Sequence, residues 1–410
     1  MMEKNLPPIG KNLPRFSLEE RDRRWGRLRE KMAAGQIDCL LIWSSNATYN
    51  MSSANMRYVT HTDSTGVCLF PRVGEPVIYS GYLHVYVYQT VMQDWMKDIR
   101  PVPSPENIIR EIKERGLERG TIGVIGFGGS LARWYPEIVP FTAYTRLLKA
   151  LPEANFVNAS WVLDELRMVK SAEEIKRLDE AAGLAYAMFE AVGKTARPGV
   201  KECEVWGAML QACVGNGGED TMIMLDSGSP PLLHGRMSPA TRRPLEKGDM
   251  IITEYHSNYG GYTIAVEHTF SLGKPAKEFR EMHRVAETAY RHGMGKMRPG
   301  AAYGDVIEAF RSPVRKAGMA YIEIGICGHG LSSPEFPSTV FGGKGGIWHE
   351  HGLAQIPDLK LRENMVFGTN MDVHNPAWNA NTGIMLGDTI HVTATGPRQM
   401  TKIPVELTVI

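Results

Sequence analysis

The sequence lacks three features that would place it outside the ordinary soluble globular proteins. Its 410 residues contain no apolar run of bilayer length, so no membrane partner is predicted. They also contain no long basic run, and 46 basic side chains nearly balance 45 acidic ones, which argues against nucleic acid as a partner. The opening residues, MMEKNLPPIGKNLPRF, have no apolar core, which predicts the absence of a secretory signal.

The cysteines are few and lack the C-x-x-C spacing that is typical of redox or zinc motifs. An odd number of scattered cysteines is typical of reduced, mostly buried thiols. Together with the missing signal, they predict a cytoplasmic protein. The five positions are Cys39, Cys68, Cys203, Cys213 and Cys327.

What the sequence does contain is enough chain and apolar residue for two cores, with 43% hydrophobic and 22% charged residues in 410. Helical and strand-like segments alternate in the first part, which predicts an α/β domain over residues 1–165. Just after it, Ser171 and Glu174 have the spacing of a capping box at the start of a long amphipathic helix. The second domain is therefore predicted over residues 166–410.

The second domain contains an internal repeat. GKTARPGVKECEVWGAML and GKMRPGAAYGDVIEAF each predict a long helix, an R-P-G stop and a second amphipathic helix. Because proline and glycine continue a helix poorly, the stop is expected at 197–199 and again at 298–300. A chance recurrence of a common turn is the alternative. Duplication is favoured, and it predicts a cleft on the pseudo-twofold axis between the halves.

The stretch KGDMIITEYHSNYGGYTIAVEHTF predicts two strands joined by a turn within 258–261. Glu254, Glu267 and His268 interrupt apolar strand segments. A carboxylate in a buried strand is costly unless it is paired or bound to a ligand, although an edge strand that faces water would explain Glu254 alone. Glu267 and His268 are neighbours, so only one of them can face the cleft.

These motifs resemble the pita-bread family of creatinase, prolidase and aminopeptidase P. The resemblance is carried by KSAEE, the G-D pair followed five residues later by a strand carboxylate, G-Y, H-T-F, the GHG around His329, and ENMVF, GDTIHVTATG and MTKIP in the same order. It covers nearly the whole chain. It implies an α+β protein in which an N-terminal α/β creatinase-like domain precedes a C-terminal pita-bread domain with an internal pseudo-twofold repeat.

The metal-ligand positions that the resemblance implies are poorly filled. Metal-dependent members resemble one another in using two aspartates, one histidine and two glutamates, and these positions correspond here to Glu254, Ala265, His329, Asn370 and Gly387. Alanine and glycine have no ligating side chain, so neither a metal nor another cofactor is expected. A separate segment, WHEHG at 348–352, is interpreted as a lid or rim loop because no further ligand lies near it.

Among the family, the pattern G-Y-x-x-A-x-E-[RH]-T is similar to that of creatinase, a member without metal. The similarity implies a substrate-binding glutamate at Glu267 and a proton-shuttling histidine at His234, while Asn370 replaces a second glutamate and makes creatine itself doubtful. A polar loop in the first domain is expected either to cap a partner's cleft or to lie in solvent. The predicted catalytic residues are His234, Glu267 and His329, and the predicted substrate-binding residues are Glu254, Asn370, Tyr262, Arg57 and His61.

The resulting functional prediction is a metal-independent, creatinase-like hydrolase that cleaves a C–N bond in a small polar, non-peptide substrate such as an amidine, ureide or amide. A lyase that abstracts a proton, an Xaa-Pro dipeptidase-type metallopeptidase and a non-catalytic small-molecule binding protein stay open as alternatives, because fold does not fix function. The partner is expected to be a small-molecule substrate, and the resemblance implies a homodimer.

Overall fold

A computed structural model describes residues 14–44, 53–62, 65–81, 94–126, 139–232, 240–338 and 359–410. The chain divides into two compact units, Met1–Arg167 and Met168–Ile410, and each unit has its own sheets and helices. Two segments singled out in the sequence, the one with His234 and the WHEHG segment, lie outside the described residues.

The first unit is built on a six-stranded mixed sheet with the strand order β4-β3-β2-β1-β5-β6. Its strands are β1 (Cys39–Ser44), β2 (Gly66–Pro71), β3 (Val77–Ser80), β4 (Asp98–Pro101), β5 (Thr121–Ile125) and β6 (Asn155–Asn158). Its helices are α1 (Leu18–Ala34), α2 (Ala54–Thr60), α3 (Pro105–Glu114), α4 (Phe141–Ala150) and α5 (Ser160–Arg167).

The sheet of the first unit carries an apolar core between its strands and helices α3 and α4. Alternate residues of β1 face the same side, because successive side chains of a strand point to opposite faces. Their apolar partners come from β2, β3, β5 and the two helices, which is the arrangement expected of an α/β layer. The buried cluster includes Cys39, Leu41, Trp43, Val67, Leu69, Ile108, Ile112, Ile122 and Leu147.

Over the residues that the structure describes, the second unit contains four helices and two sheets. The helices are α6 (Ala172–Thr195), α7 (Glu202–Val214), α8 (Lys277–Met294) and α9 (Tyr303–Lys316). One sheet has the order β15-β9-β8-β7 and the other β11-β10-β12-β13-β14. The strands are β7 (Ile223–Gly228), β8 (Met250–Tyr259), β9 (Tyr262–Ser271), β10 (Ala320–Gly328), β11 (Glu335–Ser338), β12 (Val366–His374), β13 (Thr389–Thr393), β14 (Gly396–Gln399) and β15 (Thr408–Val409).

Helix α6 begins as its sequence predicts. The Ser171 hydroxyl accepts a hydrogen bond from the Glu174 N–H at 3.2 Å, and the Glu174 carboxylate accepts one from the Ser171 N–H at 2.9 Å. These two bonds satisfy backbone donors that the first turn of a helix leaves unpaired. The capping box therefore starts the helix, and the apolar face of α6 buries Leu178, Met188 and Val192.

The internal repeat is visible in matching hydrogen bonds of the two halves. After α6, the Gly199 N–H donates to the Leu245 carbonyl at 2.8 Å, and after α8 the Gly300 N–H donates to the Leu361 carbonyl, also at 2.8 Å. In each half the R-P-G turn leads into a shorter helix, and the segment that contacts the turn leads into a long strand, β8 or β12. The α+β fold with a duplicated second domain is thus confirmed.

The buried histidine of β9 makes the stability of the second unit depend on pH. The His268 ring is packed edge-on against Phe189 and Phe270, at centroid distances of 5.0 and 4.7 Å, and its Nε2 shares a 2.8 Å hydrogen bond with the Thr408 hydroxyl. Burial, with a smaller contribution from the nearby His283, lowers the pKa of His268 to about 3. The folded protein therefore keeps this ring neutral in acid.

We expect the free energy of unfolding to fall as the pH drops from 6.5 to 4. Over this range an unfolded histidine takes up a proton and the folded His268 does not, which costs roughly 3 kcal/mol of stability by pH 4. Urea unfolding of His268→Gln should therefore show a pH dependence of the unfolding free energy that is smaller by this amount. His292→Gln is the control, because His292 is exposed and its ring contacts the Ala309 carbonyl, at 2.7 Å from Nδ1, without being enclosed. If the free energy of unfolding of His268→Gln depended on pH as strongly as that of the unmodified chain, the expectation would be contradicted.

Candidate active site

The hairpin of β8 and β9 provides the floor of the candidate site. The strands pair from Met250 with Ser271 to Tyr259 with Tyr262, so only Gly260 and Gly261 form the turn. Both glycines have positive φ, 59° and 84°, as a two-residue hairpin turn with a right-handed twist requires. The turn is thus set locally by the two glycines, and it fixes which residues of the two strands face each other.

The hairpin register brings the predicted residues together on one face. Glu254 lies opposite Glu267, and two residues along His256 lies opposite Ala265. Because side chains two apart on a strand share a face, these four positions form one patch. The His256 Nε2 lies 3.6 Å from a Glu254 carboxylate oxygen, and the Glu254 side chain is 14% exposed. Glu254 therefore lies at the mouth of the patch.

Glu267 is the most tightly held residue of the patch. Its side chain accepts hydrogen bonds from the Asn370 amide at 2.6 Å and from the Met371 N–H at 3.3 Å, and the residue is 2% exposed. Burial raises the pKa of Glu267 well above its ordinary value, and the negative charges of Asp372 and Glu254 add to this effect. Burial therefore favours the protonated form of this carboxyl group, which is the form that a general acid needs.

Two carboxylates that the sequence analysis missed complete the acidic surroundings of Glu267. Glu323 of β10 is 4% exposed and Asp372 of β12 is fully buried. Burial raises the pKa of Glu323 well above its ordinary value, and Asp372 and Glu254 raise it further. A signal was present, because Glu323 interrupts the apolar run of AYIEIGICG in the way that Glu254 interrupts its strand.

The predicted His329 follows β10 and is buried. Its Nε2 lies 3.3 Å from the Cys327 sulfur and 3.1 Å from the Ser333 hydroxyl, and its ring centroid is 6.1 Å from that of His256. Burial, together with the nearby His256 and Lys170, lowers the pKa of His329 well below its ordinary value. His329 is consequently neutral at physiological pH, and its Nδ1 has no hydrogen-bond partner among the residues that the structure describes.

The predicted substrate-binding residue Tyr262 is the first residue of β9. Tyr262 is fully buried, and its hydroxyl donates to the Glu174 carboxylate at 2.9 Å, which favours a packing role between the hairpin and helix α6. His234 belongs to the segment 233–239, outside the described residues. Its proposed proton-shuttle role stays a prediction.

Arg57 and His61 belong to the first unit. Arg57 lies in α2, and His61 ends that helix in the left-handed conformation. The His61 ring packs against Phe16 and Trp95 at centroid distances of 5.5 and 5.1 Å. These contacts place His61 in an aromatic cluster of its own unit, and the substrate-binding role of both residues stays a prediction.

The α/β unit, the duplicated second unit and the carboxylates on its cleft strands define the pita-bread class of hydrolases. Residues 176–394 match the sequence profile of metallopeptidase family M24, and residues 24–169 match that of the creatinase/prolidase N-terminal domain. The chain belongs to metallopeptidase family M24. It is therefore an enzyme of the hydrolase class, among peptidases.

Individual relatives point to the same family. The Xaa-Pro dipeptidase of Pyrococcus furiosus is 25% identical over 252 residues, which cover 60% of this chain and 66% of that protein. The solved Xaa-Pro dipeptidase of Bacillus anthracis has a TM-score of 0.76 at 22% identity, covering 95% of this chain and 100% of the other. The X-Pro aminopeptidase of Thermotoga maritima has a TM-score of 0.76 at 19% identity, covering 94% and 99%. These two solved structures support the fold.

The comparisons contradict the predicted non-peptide, creatinase-like activity. The relatives with a named activity are dipeptidases and aminopeptidases, and the matching family is one of metallopeptidases, which also conflicts with the predicted metal independence. Ala265 and Glu267 alone do not identify a substrate, whereas the family matches extend over 24–169 and 176–394. A separate observation concerns membranes: no helix in the described segments is long and apolar enough to cross a bilayer.

The residues at the family's metal positions do not fit a metal pair. Within the described segments, no three His, Cys, Asp or Glu side chains are arranged to hold a metal ion. The Ala265 side chain has no atom that can bind a metal ion. At Gly387 a side chain would overlap the carbonyl oxygen of Thr369, because the Thr369 N–H donates to the Asp388 carbonyl at 3.0 Å and holds these two segments close together. The family and the donor set therefore disagree on the metal.

Proposed function

We propose that this protein is a peptidase of the Xaa-Pro dipeptidase type, acting on short peptides. The observation that carries the proposal is the family match over both units, and the facing pair Glu254 and Glu267 on the β8–β9 hairpin supports it. A name of a relative describes that relative, so the preference for proline in the second position is part of the proposal.

The cleft residues support a division of labour between two carboxyl groups. Glu267 is buried and held by Asn370, and the raised pKa favours the protonated form, which can deliver a proton to the leaving nitrogen of the peptide bond. Glu254, at the mouth of the patch, can accept a proton from the attacking water, and the His256 Nε2 lies 3.6 Å from its carboxylate. Two carboxyl groups whose surroundings differ in this way serve as acid and base in many hydrolases.

The test is a peptidase assay on the full chain. Release of free amino acid from Ala-Pro and from Ala-Ala is measured for three samples: protein as purified, protein after chelation, and protein after Mn²⁺ or Zn²⁺ is added back. We expect kcat/KM for Ala-Pro to exceed that for Ala-Ala by about tenfold or more, a discrimination that pocket contacts can supply. No hydrolysis of either peptide in any of the three samples would overturn the proposal.

The homodimer and the small-molecule substrate stay predictions, as does a cytoplasmic location. If the polar loop of the first unit reaches a partner's cleft, Arg57 and His61 are the residues whose substitution would change kcat/KM.

A further inference from the structure

The second unit has a further pocket, on the side of strand β9 that faces away from the candidate active site. Glu267 and His268 are neighbours on β9, so their side chains point to opposite faces of the sheet. On the His268 side, the nearby His283 contributes to the lowered pKa of His268, and His283 lines a pocket of about 530 Å³. We call it the α8 pocket, and its lining includes Lys274, Arg280, His283, Arg284, Leu407 and Val409.

Three segments of the second unit build the walls of the α8 pocket. Arg280, His283 and Arg284 are three and four residues apart on helix α8, so they share one face of it. The turn before the helix is tied to the end of the chain, because the Gly273 N–H donates to the Ile410 carbonyl at 2.8 Å. Strand β15 pairs with the end of β9 and forms the third wall.

The α8 pocket carries an excess of positive charge. Lys274, Arg280 and Arg284 are exposed, and within the described segments none of the three forms an ion pair. Glu287, on the same face of α8, also lines the pocket, but its carboxylate is paired with the Arg291 guanidinium at 2.9 Å. Three positive charges without a counter-charge repel one another, so an anion bound between them would be stabilised.

An imidazole without a partner lies behind these three cations. His283 is 3% exposed, and its Nε2 is buried and has no hydrogen-bond partner in the part of the chain that the structure describes. Burial lowers the pKa of His283 to about 4, so the ring is neutral at pH 7 and one of its two nitrogens carries a proton. A buried polar atom without a partner is costly and usually marks a bound ligand or water. His283 thus distinguishes the α8 pocket from an ordinary solvated helix face.

The remaining lining of the α8 pocket is apolar. Pro275 is buried, and its carbonyl accepts a hydrogen bond from the Arg280 guanidinium at 2.9 Å, which leaves the other N–H donors of that group available. Leu407 and Val409 line the pocket from the C-terminal segment, and Val409 is 56% exposed. Apolar surface gains free energy when it is covered, so these side chains favour a ligand that carries an apolar group beside its charge.

We propose that the α8 pocket binds a small organic carboxylate whose apolar group lies against Leu407 and Val409. The planar guanidinium groups of Arg280 and Arg284 suit the two oxygens of a carboxylate, and the buried imidazole supplies a further polar contact. A singly charged group fits a partly apolar pocket better than a dianion, because its desolvation costs less. The proposal is independent of the peptidase activity, since the pocket lies outside the cleft.

The first test compares three probes on the unmodified full chain. Isothermal titration calorimetry at pH 7 and low ionic strength measures the binding of benzoate, of benzamide, which has the same ring without the charge, and of acetate, which has the charge without the ring. We expect benzoate to bind about tenfold or more tightly than either, because only benzoate gains both the charged hydrogen bonds and the apolar contact. Benzamide or acetate binding as tightly as benzoate, or no binding of benzoate, would overturn the proposal.

The second test locates the bound benzoate with charge variants. Arg284→Gln should weaken benzoate binding about tenfold, because it removes one of the charged donors that line the pocket. Arg298→Gln is the matched control: Arg298 is also exposed, its side chain donates to the Gly295 carbonyl outside the pocket, and this variant should bind benzoate like the unmodified chain. Equal weakening in both variants would show a general effect of net charge and would contradict a site at α8.

A pair of substitutions at His283 separates a built site from a positively charged surface. His283→Gln keeps a polar nitrogen near the position of Nε2 and should bind benzoate within about threefold of the unmodified chain, whereas His283→Leu removes that nitrogen and should weaken binding about tenfold. Circular dichroism establishes whether each variant is folded, and the exposed Arg284→Gln keeps the proposal testable if His283→Leu does not fold. Unchanged benzoate binding in folded His283→Leu would overturn the role of the buried imidazole and with it the built site.

Discussion

Replacing Glu267 by glutamine lowers kcat/KM for Ala-Pro by about 10²–10⁴-fold, the range expected when a general acid is removed. Glutamine keeps the shape of the side chain and the acceptor for the Asn370 amide, but it cannot give up a proton to the leaving nitrogen. The effect should fall on kcat, since proton delivery belongs to the transition state. Steady-state kinetics with Ala-Pro measures it, and Glu281→Gln is the control of the same chemistry outside the cleft.

The same substitution should raise stability at high pH, which separates loss of chemistry from loss of folding. The pKa of Glu267 in the folded state lies above that of an unfolded glutamate. At pH values between these two pKa values, the folded state binds the proton and the unfolded state does not. The free energy of unfolding of the unmodified chain therefore falls as pH rises through this window, and glutamine removes that loss. We expect Tm of Glu267→Gln relative to the unmodified chain to be higher at pH 8 than at pH 5. A near-normal kcat/KM in a folded variant would contradict the assignment of Glu267 as the acid.

Gly387→Ala is the second large effect, this time on stability. A Cβ at position 387 would overlap the carbonyl oxygen of Thr369 and approach the Glu267 carboxylate to 3.1 Å. Neither neighbour can move freely, because the Glu267 and Gly387 backbones exchange hydrogen bonds of 3.0 and 2.9 Å and the Thr369 N–H donates to the Asp388 carbonyl at 3.0 Å. The backbone must shift, and we expect a loss of roughly 3 kcal/mol or more, as for other overpacked buried sites.

Urea unfolding checks this loss against Gly207→Ala as a matched control. Gly207 lies within helix α7, and a Cβ there meets no atom within 4 Å. Alanine is the better helix former by about 1 kcal/mol, so this control should be unchanged or more stable. Equal free energies of unfolding for the two variants would show that an alanine side chain fits at position 387. If Gly387→Ala is the less stable variant, position 387 has no room for a larger side chain. A single substitution then cannot restore the glutamate of the metal-dependent members that the chain resembles.

The wrong functional prediction has a specific cause. Ala265 and Glu267 lie two residues apart on one face of β9, and that short pattern is similar to the creatinase pattern. Two residues on a strand do not identify a substrate. The match of both units to a peptidase family, over 176–394 and 24–169, carries more information than those two positions.

The sequence by itself determined those features that depend on neighbours along the chain. The capping box of Ser171 and Glu174, the two-glycine turn after β8 and the R-P-G stops are set by contacts within a few residues. The facing of Glu254 and Glu267 follows from that turn, because a two-residue loop fixes the register of a hairpin. The pairing of Glu254 with Glu267 was therefore predictable from the sequence alone.

Only the tertiary structure decided what surrounds that pair. Glu323 and Asp372 reach Glu267 through the pairing of β10 with β12, whose register shifts between Tyr321 and Ile324. A register shift of one residue moves side chains to the opposite face, and no local pattern records it. The raised pKa of Glu267 and the closed space at Gly387 likewise depend on burial and charges contributed by segments far apart in the chain. These quantities are sums over the folded surroundings, so they exist only once the strands have packed.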